Sequence, residues 1–359
     1  MKTDIWTRAY IGTYTDEKLE GIHIVEANSA TGAINPVAVV RGVENPTYLA
    51  LSANRPLLYA VQGVPEYGAR DCFGAVSVYG IDSGEPRLLG RRPVGVTVPC
   101  HIALGLGESV LAFAEYTNAT AGVFKLDDNG LFVAEEPVVV QHHGSGPDRE
   151  RQEAAHAHCA TFTPDGRYLC VADLGIDRVV AYNMEGWGGG LKEVEALAIS
   201  SAPGAGPRHL VFHPNGELAF LINELDNTLL ALRYTASGFE ELQRVSTVPV
   251  GFGDFSKAAA LKFSDDGTRL LASNRGHDSI ATFGVDPASG ALELMAISPL
   301  AGSFPRDFAF FPGEKFIMVG HEKSGSVGVY AFDCTTGKLT YTGISYSAHR
   351  PVCTLFGGG

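Results

Sequence analysis

Hydrophobic positions along this chain fall in short runs separated by turn residues, and no segment sustains a helical spacing. One unit recurs: a short apolar run, a turn of the Pro-Asp-Gly type, then a second and more apolar run. It reads NPTYLALSANRPLLYAV from Asn45, PCHIALGLGESVLAFAEY from Pro99 and AHCATFTPDGRYLCVADL from Ala157. It continues as PRHLVFHPNGELAFLINEL from Pro207, AAALKFSDDGTRLLASNRG from Ala258 and PRDFAFFPGEKFIMVGHEK from Pro305. A half-copy, PVCTLF from Pro351, ends the chain. Alignment puts Thr47, Cys100, His158, Arg208, Ala259, Arg306 and Val352 in one register, at spacings of 53, 58, 50, 51, 47 and 46 residues.

A second hairpin follows each unit, as in VSVYGIDSGEPRLL, IATFGVDPASGALEL and VGVYAFDCTTGKLTY. Its turn glycines are Gly32, Gly84, Gly130, Gly190, Gly238, Gly290 and Gly337. Polar-Gly turns between apolar runs are strong hairpin signals. Two hairpins per repeat make a four-stranded antiparallel blade, and seven repeats predict an all-β, seven-bladed β-propeller. The final half-copy supplies one strand, and AYIGTYT with GIHIVEANSATGAINPV near the N-terminus reads as the three that complete its blade. Pairing the termini closes the ring and leaves no free edge. The expectation is a single domain over residues 1–359. Two β-sandwich domains would need a linker and a composition shift, and neither is found.

Composition then narrows the class. Hydrophobic residues make up 45% and charged residues 19% of the 359, enough apolar surface for a core. The 43 glycines and 19 prolines read as hairpin punctuation. No apolar run approaches the ~18 residues of a membrane span, and MKTDIWTRAY lacks the apolar stretch of a signal peptide. Cys72, Cys100, Cys159, Cys170, Cys334 and Cys353 are dispersed with no CxxC pair, which suits a reducing cytosol. A net charge of −13 argues against a nucleic-acid surface. The expected protein is cytoplasmic, with no nucleic-acid or membrane partner, and a monomer or weak homo-oligomer.

In such a blade the start of strand one and the end of strand two share a rim. The starts include Cys100, His101, His158, Arg208, His209 and Arg306. The ends include Glu115, Asp173, Asn223, Glu224, Asn274, Arg275, His321 and Glu322. A rim of His, Arg and Glu on a rigid ring is a candidate active site. The polar connection QHHGSGPDRERQEAAHAH, from Gln141 to His158, accounts for the widest spacing, and reads as a lid or binding loop or as a solvated excursion.

His156 and His158, two apart, share a strand face. They can form a metal pair, act in catalysis or be hydrogen-bonded rim histidines; His158 leads because it holds the register of Arg208 in the next blade. An anionic substrate needs local cations in so acidic a chain, and Arg208, Arg275 and Arg306 reach the rim; inter-blade salt bridges are the competing role. Glu224, ending the apolar LAFLINEL, serves as acid or base or orients Arg208 or His158. His101, His156, His209, Arg306 and Asn274 are the substrate-binding candidates. No P-loop, GxSxG elbow, Rossmann fingerprint or HExxH occurs, GWGGG is too short for a phosphate loop, and WD dipeptides are missing.

Several stretches together resemble the propeller-type lactonases: YIGTYT near Tyr10, HHGSGPDRERQEAAHAH from His142, ADLGIDRV from Ala172, GAGPRHLVFHPNG from Gly204, NEL at Asn223 and ASNRGHDSI from Ala272. That family takes in bacterial 6-phosphogluconolactonases and fungal 3-carboxy-cis,cis-muconate lactonizing enzymes, and the resemblance runs nearly end to end. It implies a seven-bladed propeller, lactone chemistry without a required cofactor, and His158, Arg208, Glu224 and Arg275 as catalytic residues; no metal site is expected. For hydrolysis, as in the pentose phosphate pathway, His158 or Glu224 would activate water while Arg208 and Arg275 hold a phosphate or carboxylate. The alternatives are the cyclase (isomerase) direction, a non-catalytic propeller scaffold, and a calcium lactonase using Asp173, Asn223, Glu224 and Asn274, which the neighbouring arginines oppose.

Overall fold

Each repeat forms the two inner strands of an antiparallel sheet, and the hairpin after it forms the two outer strands. The computed structural model describes residues 6–18, 20–64, 73–82, 84–235 and 237–357; Cys72 and the leading MKTDI lie outside them. Seven sheets result, the blades of a β-propeller. In one, the order is Pro351–Phe356, Trp6–Thr13, Glu20–Asn28, Ile34–Arg41, so the C-terminal strand pairs with the N-terminal one as expected, with Thr354 opposite Ile11. Among the described residues no helix is long and apolar enough to cross a membrane.

Residues 1–49 with 245–359 form one compact unit, and residues 50–244 form another. In the second, the strands Tyr168–Asp173 and Leu218–Asn223 are buried at every position, while the outer strand Gly238–Ser246, which begins there, is exposed or half-buried. The gradient follows from stacking: an inner strand is covered on both faces and so reads as a continuous apolar run, whereas an outer strand meets water. Leu221, Leu230 and Ala219 of one blade pack with Cys170, Ala172 and Val179 of the blade before it. In the first unit Leu271 and Ile280 pack with Phe308, Val319 and Tyr330 in the same way.

The register shared by the repeats has a structural meaning. His158 lies between the pairs Ala157–Asp173 and Cys159–Ala172, and Arg208 between Pro207–Asn223 and His209–Ile222. Arg306 lies between Pro305–His321 and Asp307–Gly320. Each is the extra residue of a β-bulge, which bends the strand and re-aims a side chain. The pairs Ala157–Asp173 and Pro207–Asn223 also put strand-one starts beside strand-two ends, the shared rim the pattern predicts.

All seven of the second-hairpin glycines have φ between +72° and +143°, where a β-carbon is strained. The turn between strands two and three also needs a left-handed residue, supplied by Ala119, Asp177, Asn227 and Asp278 at φ of 53°, 55°, 57° and 52°. Asp and Asn tolerate that conformation best, and an Asp there gains a second task. Asp278 accepts the amide N–H of Phe304 (2.7 Å) and Asp177 that of Gly204 (2.7 Å), each tying down the loop that enters the next blade.

The blade beginning at Ala157 departs from four plain strands. Its outermost position is shared by Lys192–Glu193 and Ile199–Ser200, with short 3-10 turns at Trp187–Gly189 and Glu195–Leu197. The GWGGG run enters here, and glycines without side chains to pack weaken a strand.

Burial pushes His101 down to about 3, with Arg208 adding to the effect, and pushes His321 down to about 4. Both stay neutral in the fold at pH values where the unfolded chain binds protons. Stability from these two is therefore complete above about pH 6.5 and falls as pH drops toward 4, by up to about 1.4 kcal/mol per pH unit for each. Urea midpoints measured from pH 7 to 4.5 should decline, and the decline should be shallower in His321→Gln.

Candidate functional site

The strand Leu218–Asn223 is buried at every position, so the residue after it emerges from a buried wall. That residue is Glu224, 2% exposed, with its amide N–H donated to Gly206 O (2.7 Å). The bond sets Glu224 beside the bulge of the neighbouring strand Pro207–Phe212. Arg208 Nε donates to Glu224 Oε2 (3.1 Å), and Arg208 Nη1 donates to His209 Nε2 (3.0 Å). A guanidinium has no acceptor, so His209 Nε2 carries the lone pair and the neutral ring holds its proton on Nδ1. The other carboxylate oxygen, Oε1, accepts from Arg151 Nη2 (2.7 Å). A buried carboxylate between two guanidiniums has its charge compensated on both sides.

Arg151 comes from the long polar connection, whose residues 142–156 contain neither strand nor helix. The segment is pinned along its length. Asp148 Oδ1 accepts the amide N–H groups of Glu150 (3.0 Å) and Arg151 (3.1 Å). Gln152, fully buried, donates through Nε2 to Leu174 O and to Asp177 Oδ1, both at 2.8 Å. At the ends, Asp173 accepts from the His142 ring (Nδ1, 2.7 Å) and from the His156 amide (2.7 Å). Tyr182 O–H closes that chain on His142 Nε2 (2.8 Å). Gly175 is needed where the loop crosses, since a β-carbon there would lie 1.9 Å from Ala154 O.

Asp177 joins the pieces. Its carboxylate takes Gln152 from the Arg151 loop and the amides of Gly204 (2.7 Å) and Gly206 (2.8 Å) from the segment that leads into Arg208. One turn aspartate thus positions both arginines that meet at Glu224. The sequence stretches HHGSGPDRERQEAAHAH, ADLGIDRV and GAGPRHL are parts of one assembly.

The histidines gather around Tyr116. Its ring stacks on His156 (4.3 Å, 7°) and meets the His158 ring edge-on (5.8 Å, 85°). His158 in turn meets His209 edge-on at 5.5 Å, and His209 meets His101 at 5.5 Å. His156 Nδ1 donates to Tyr116 O (3.0 Å) and its Nε2 lies 3.2 Å from Glu153 Oε1. His101 accepts from the Ala160 amide (3.4 Å) and contacts Cys159 Sγ (3.5 Å), a neutral packing role. The Tyr116 hydroxyl oxygen accepts from Arg151 Nη2 (3.3 Å), and burial holds its pKa above the ordinary phenol value.

Of the residues expected at the rim, His101, His156, His158, Arg208, His209 and Glu224 come together in the unit 50–244. Asn274, Arg275 and Arg306 lie in the other unit. There Asn274 is fully buried and braces its hairpin, bonded to Thr247 and Ser279. Arg275 donates to the carbonyls of Lys257 (3.3 Å) and Ala258 (3.1 Å), and its guanidinium sits 5.8 Å from the Phe304 ring. Arg306 faces Glu322 at 3.9 Å and the Tyr14 ring at 5.8 Å.

The oxygens suggested for calcium are otherwise engaged. Asp173 holds His142 and two amides, Asn223 holds Ser201 and Thr228, and Glu224 holds two arginines, a donor set that does not fit a cation. Among the described residues no three His, Cys, Asp or Glu side chains assemble as a metal site. Glu115 caps its own turn, accepting from Thr97, Thr120 and the amides of Thr117 and Asn118. Arg151 and Tyr116 are the members that repeat alignment misses. Arg151 stands in the non-repeating loop, and Tyr116 directly follows Glu115, one place past the strand end Val110–Glu115.

Residues 8–356 match the family described as "Lactonase, 7-bladed beta-propeller". The chain is 37% identical over 352 residues to the 6-phosphogluconolactonase of Bacillus subtilis (strain 168), covering 97% of each. Among solved structures it is similar to a periplasmic gluconolactonase of Pseudomonas aeruginosa, with TM-score 0.90 and 29% identity over 98% of this chain and 99% of that one. A protein from Lactobacillus plantarum superposes with TM-score 0.89 at 33% identity, over 99% of this chain and 100% of that one. With the blades, the match along nearly the whole length and these relatives in agreement, the chain belongs to the seven-bladed β-propeller lactonase family.

Proposed function

We propose that the chain hydrolyses a small anionic sugar lactone, 6-phosphogluconolactone to 6-phosphogluconate, as a step of the pentose phosphate pathway. The observation that carries the reading is the buried Glu224 held between Arg208 and Arg151, with His158 one ring contact from His209 and Tyr116. It joins cations suited to an anionic substrate to an imidazole suited to moving a proton. We assign it to the cytosol as a monomer or weak homo-oligomer; the buried free thiols Cys159, Cys170 and Cys353 suit a reducing compartment.

In this reading His158 takes a proton from water as the oxygen attacks the lactone carbonyl. The imidazolium formed on His158 counters the negative charge that grows on the carbonyl oxygen. Collapse of the adduct breaks the ring ester bond, and the leaving ring oxygen takes up the proton to become a hydroxyl. The acid released gives one proton to solution per turnover. Glu224 keeps its charge through the cycle and orients the cations, since both its oxygens already accept from guanidiniums.

Proton release from freshly generated 6-phosphogluconolactone, followed against the uncatalysed rate, tests the reading. Hydrolysis is expected; absence of hydrolysis, or activity confined to carboxymuconolactone, rejects it. A positioned base is worth roughly 10²–10⁴-fold. His158→Asn should therefore lower kcat by about that factor while leaving KM within a few fold, and a kcat equal to the parent's would remove His158 from proton transfer.

A further inference from the structure

Two arginines share Glu224, and their surroundings differ. Arg208 has a side chain 3% exposed and spends its guanidinium on Glu224 and His209. Arg151 has a side chain 27% exposed and touches both Glu224 and Tyr116 through Nη2 alone. A guanidinium carries five N–H donors, two of them on Nη2. Among the described residues, then, the Nε donor and the two Nη1 donors of Arg151 have no partner within the chain. The backbone that presents them is fixed by Asp148 on one side and by the fully buried Gln152 on the other. A solvent-accessible cation with three unused donors on a pinned turn is pre-organised for an oxyanion, because little ordering remains to be done on binding.

We propose that Arg151 is the specificity-determining residue that grips the phosphate of the substrate, and that Arg208 is a positioning residue acting through Glu224 and His209. The proposal rests on the lactonase reading above and names the group within the substrate that Arg151 takes. Charge supports it: a chain of net charge −13 repels a phosphorylated sugar overall, so recognition requires a cation that the ligand can reach. Arg208, enclosed by Glu224 and His209, offers little such access, while Arg151 does. The Glu224 carboxylate has a second role here, since it holds Arg151 by Nη2 and leaves Nε and Nη1 without a protein partner among the described residues. Tyr116 supports the same nitrogen from its other side (3.3 Å).

The test compares Arg151→Met with the parent on 6-phosphogluconolactone and on unphosphorylated glucono-δ-lactone. The ratio of kcat/KM for the phosphorylated over the unphosphorylated lactone should fall about 10- to 100-fold, the range for one charge-assisted contact, carried mainly by KM. Arg151→Lys should restore part of the ratio. Arg208→Met should lower kcat on both lactones and leave the ratio unchanged. Calorimetric binding of 6-phosphogluconate to parent and Arg151→Met supplies a readout independent of turnover, with weaker binding by the variant expected. A ratio equal in parent and Arg151→Met, or unchanged affinity for 6-phosphogluconate, overturns the proposal. If the parent hydrolyses neither lactone but binds 6-phosphogluconate through Arg151, the lactonase reading fails while the phosphate site stands.

Discussion

A carboxylate that is 2% exposed must have its charge met by the protein, and the candidate site is arranged around meeting it at Glu224. Removing such a charge from water costs several kcal/mol unless partners replace the lost solvation. Arg208 and Arg151 replace it, one per oxygen. The constraint acts backward on the fold, because both cations have to arrive at fixed places. Arg208 arrives through a β-bulge that turns its side chain toward the end of the next strand. Arg151 arrives through a loop with no regular structure, which needs outside support.

That support comes from the turn between strands two and three of the blade beginning at Ala157. Its first carboxylate, Asp173, gathers both ends of the Arg151 loop, and its last, Asp177, gathers the loop's middle and the segment before Arg208. The same turn position elsewhere holds Asp278, which performs the simpler inter-blade tie to Phe304. A structural element common to the blades has thus been extended at one place into the scaffold of a site. Repetition supplies rigidity, and departure from it supplies chemistry.

The division of work among the histidines follows from their partners. His101 is neutral and packed, His209 has its tautomer set by Arg208, and His156 is stacked on Tyr116 with Nδ1 on a carbonyl. His158 stands at the bulge among these rings, the position from which a side chain is re-aimed toward the rim.

The repeat pattern was sufficient for the blades, the pairing of the terminal strands, the seven turn glycines and the register that proved to be the bulge. All of these are local or periodic: alternation, turn chemistry and spacing are written residue by residue. It also brought His158, Arg208 and Glu224 forward, because strand ends in successive repeats meet by geometry. The sequence does not separate rim residues that face a ligand from those that brace the chain, and so Glu115, Asp173, Asn223 and Asn274 stand among the candidates although their oxygens hold turns and entering loops of the protein. Arg151 was invisible to the same logic, since a non-repeating loop has no register to be read from. Which carboxylate it would meet, and whether its donors would face solvent, depended on contacts across 73 positions of chain that only the folded arrangement of Asp173, Asp177 and Gln152 brings into being.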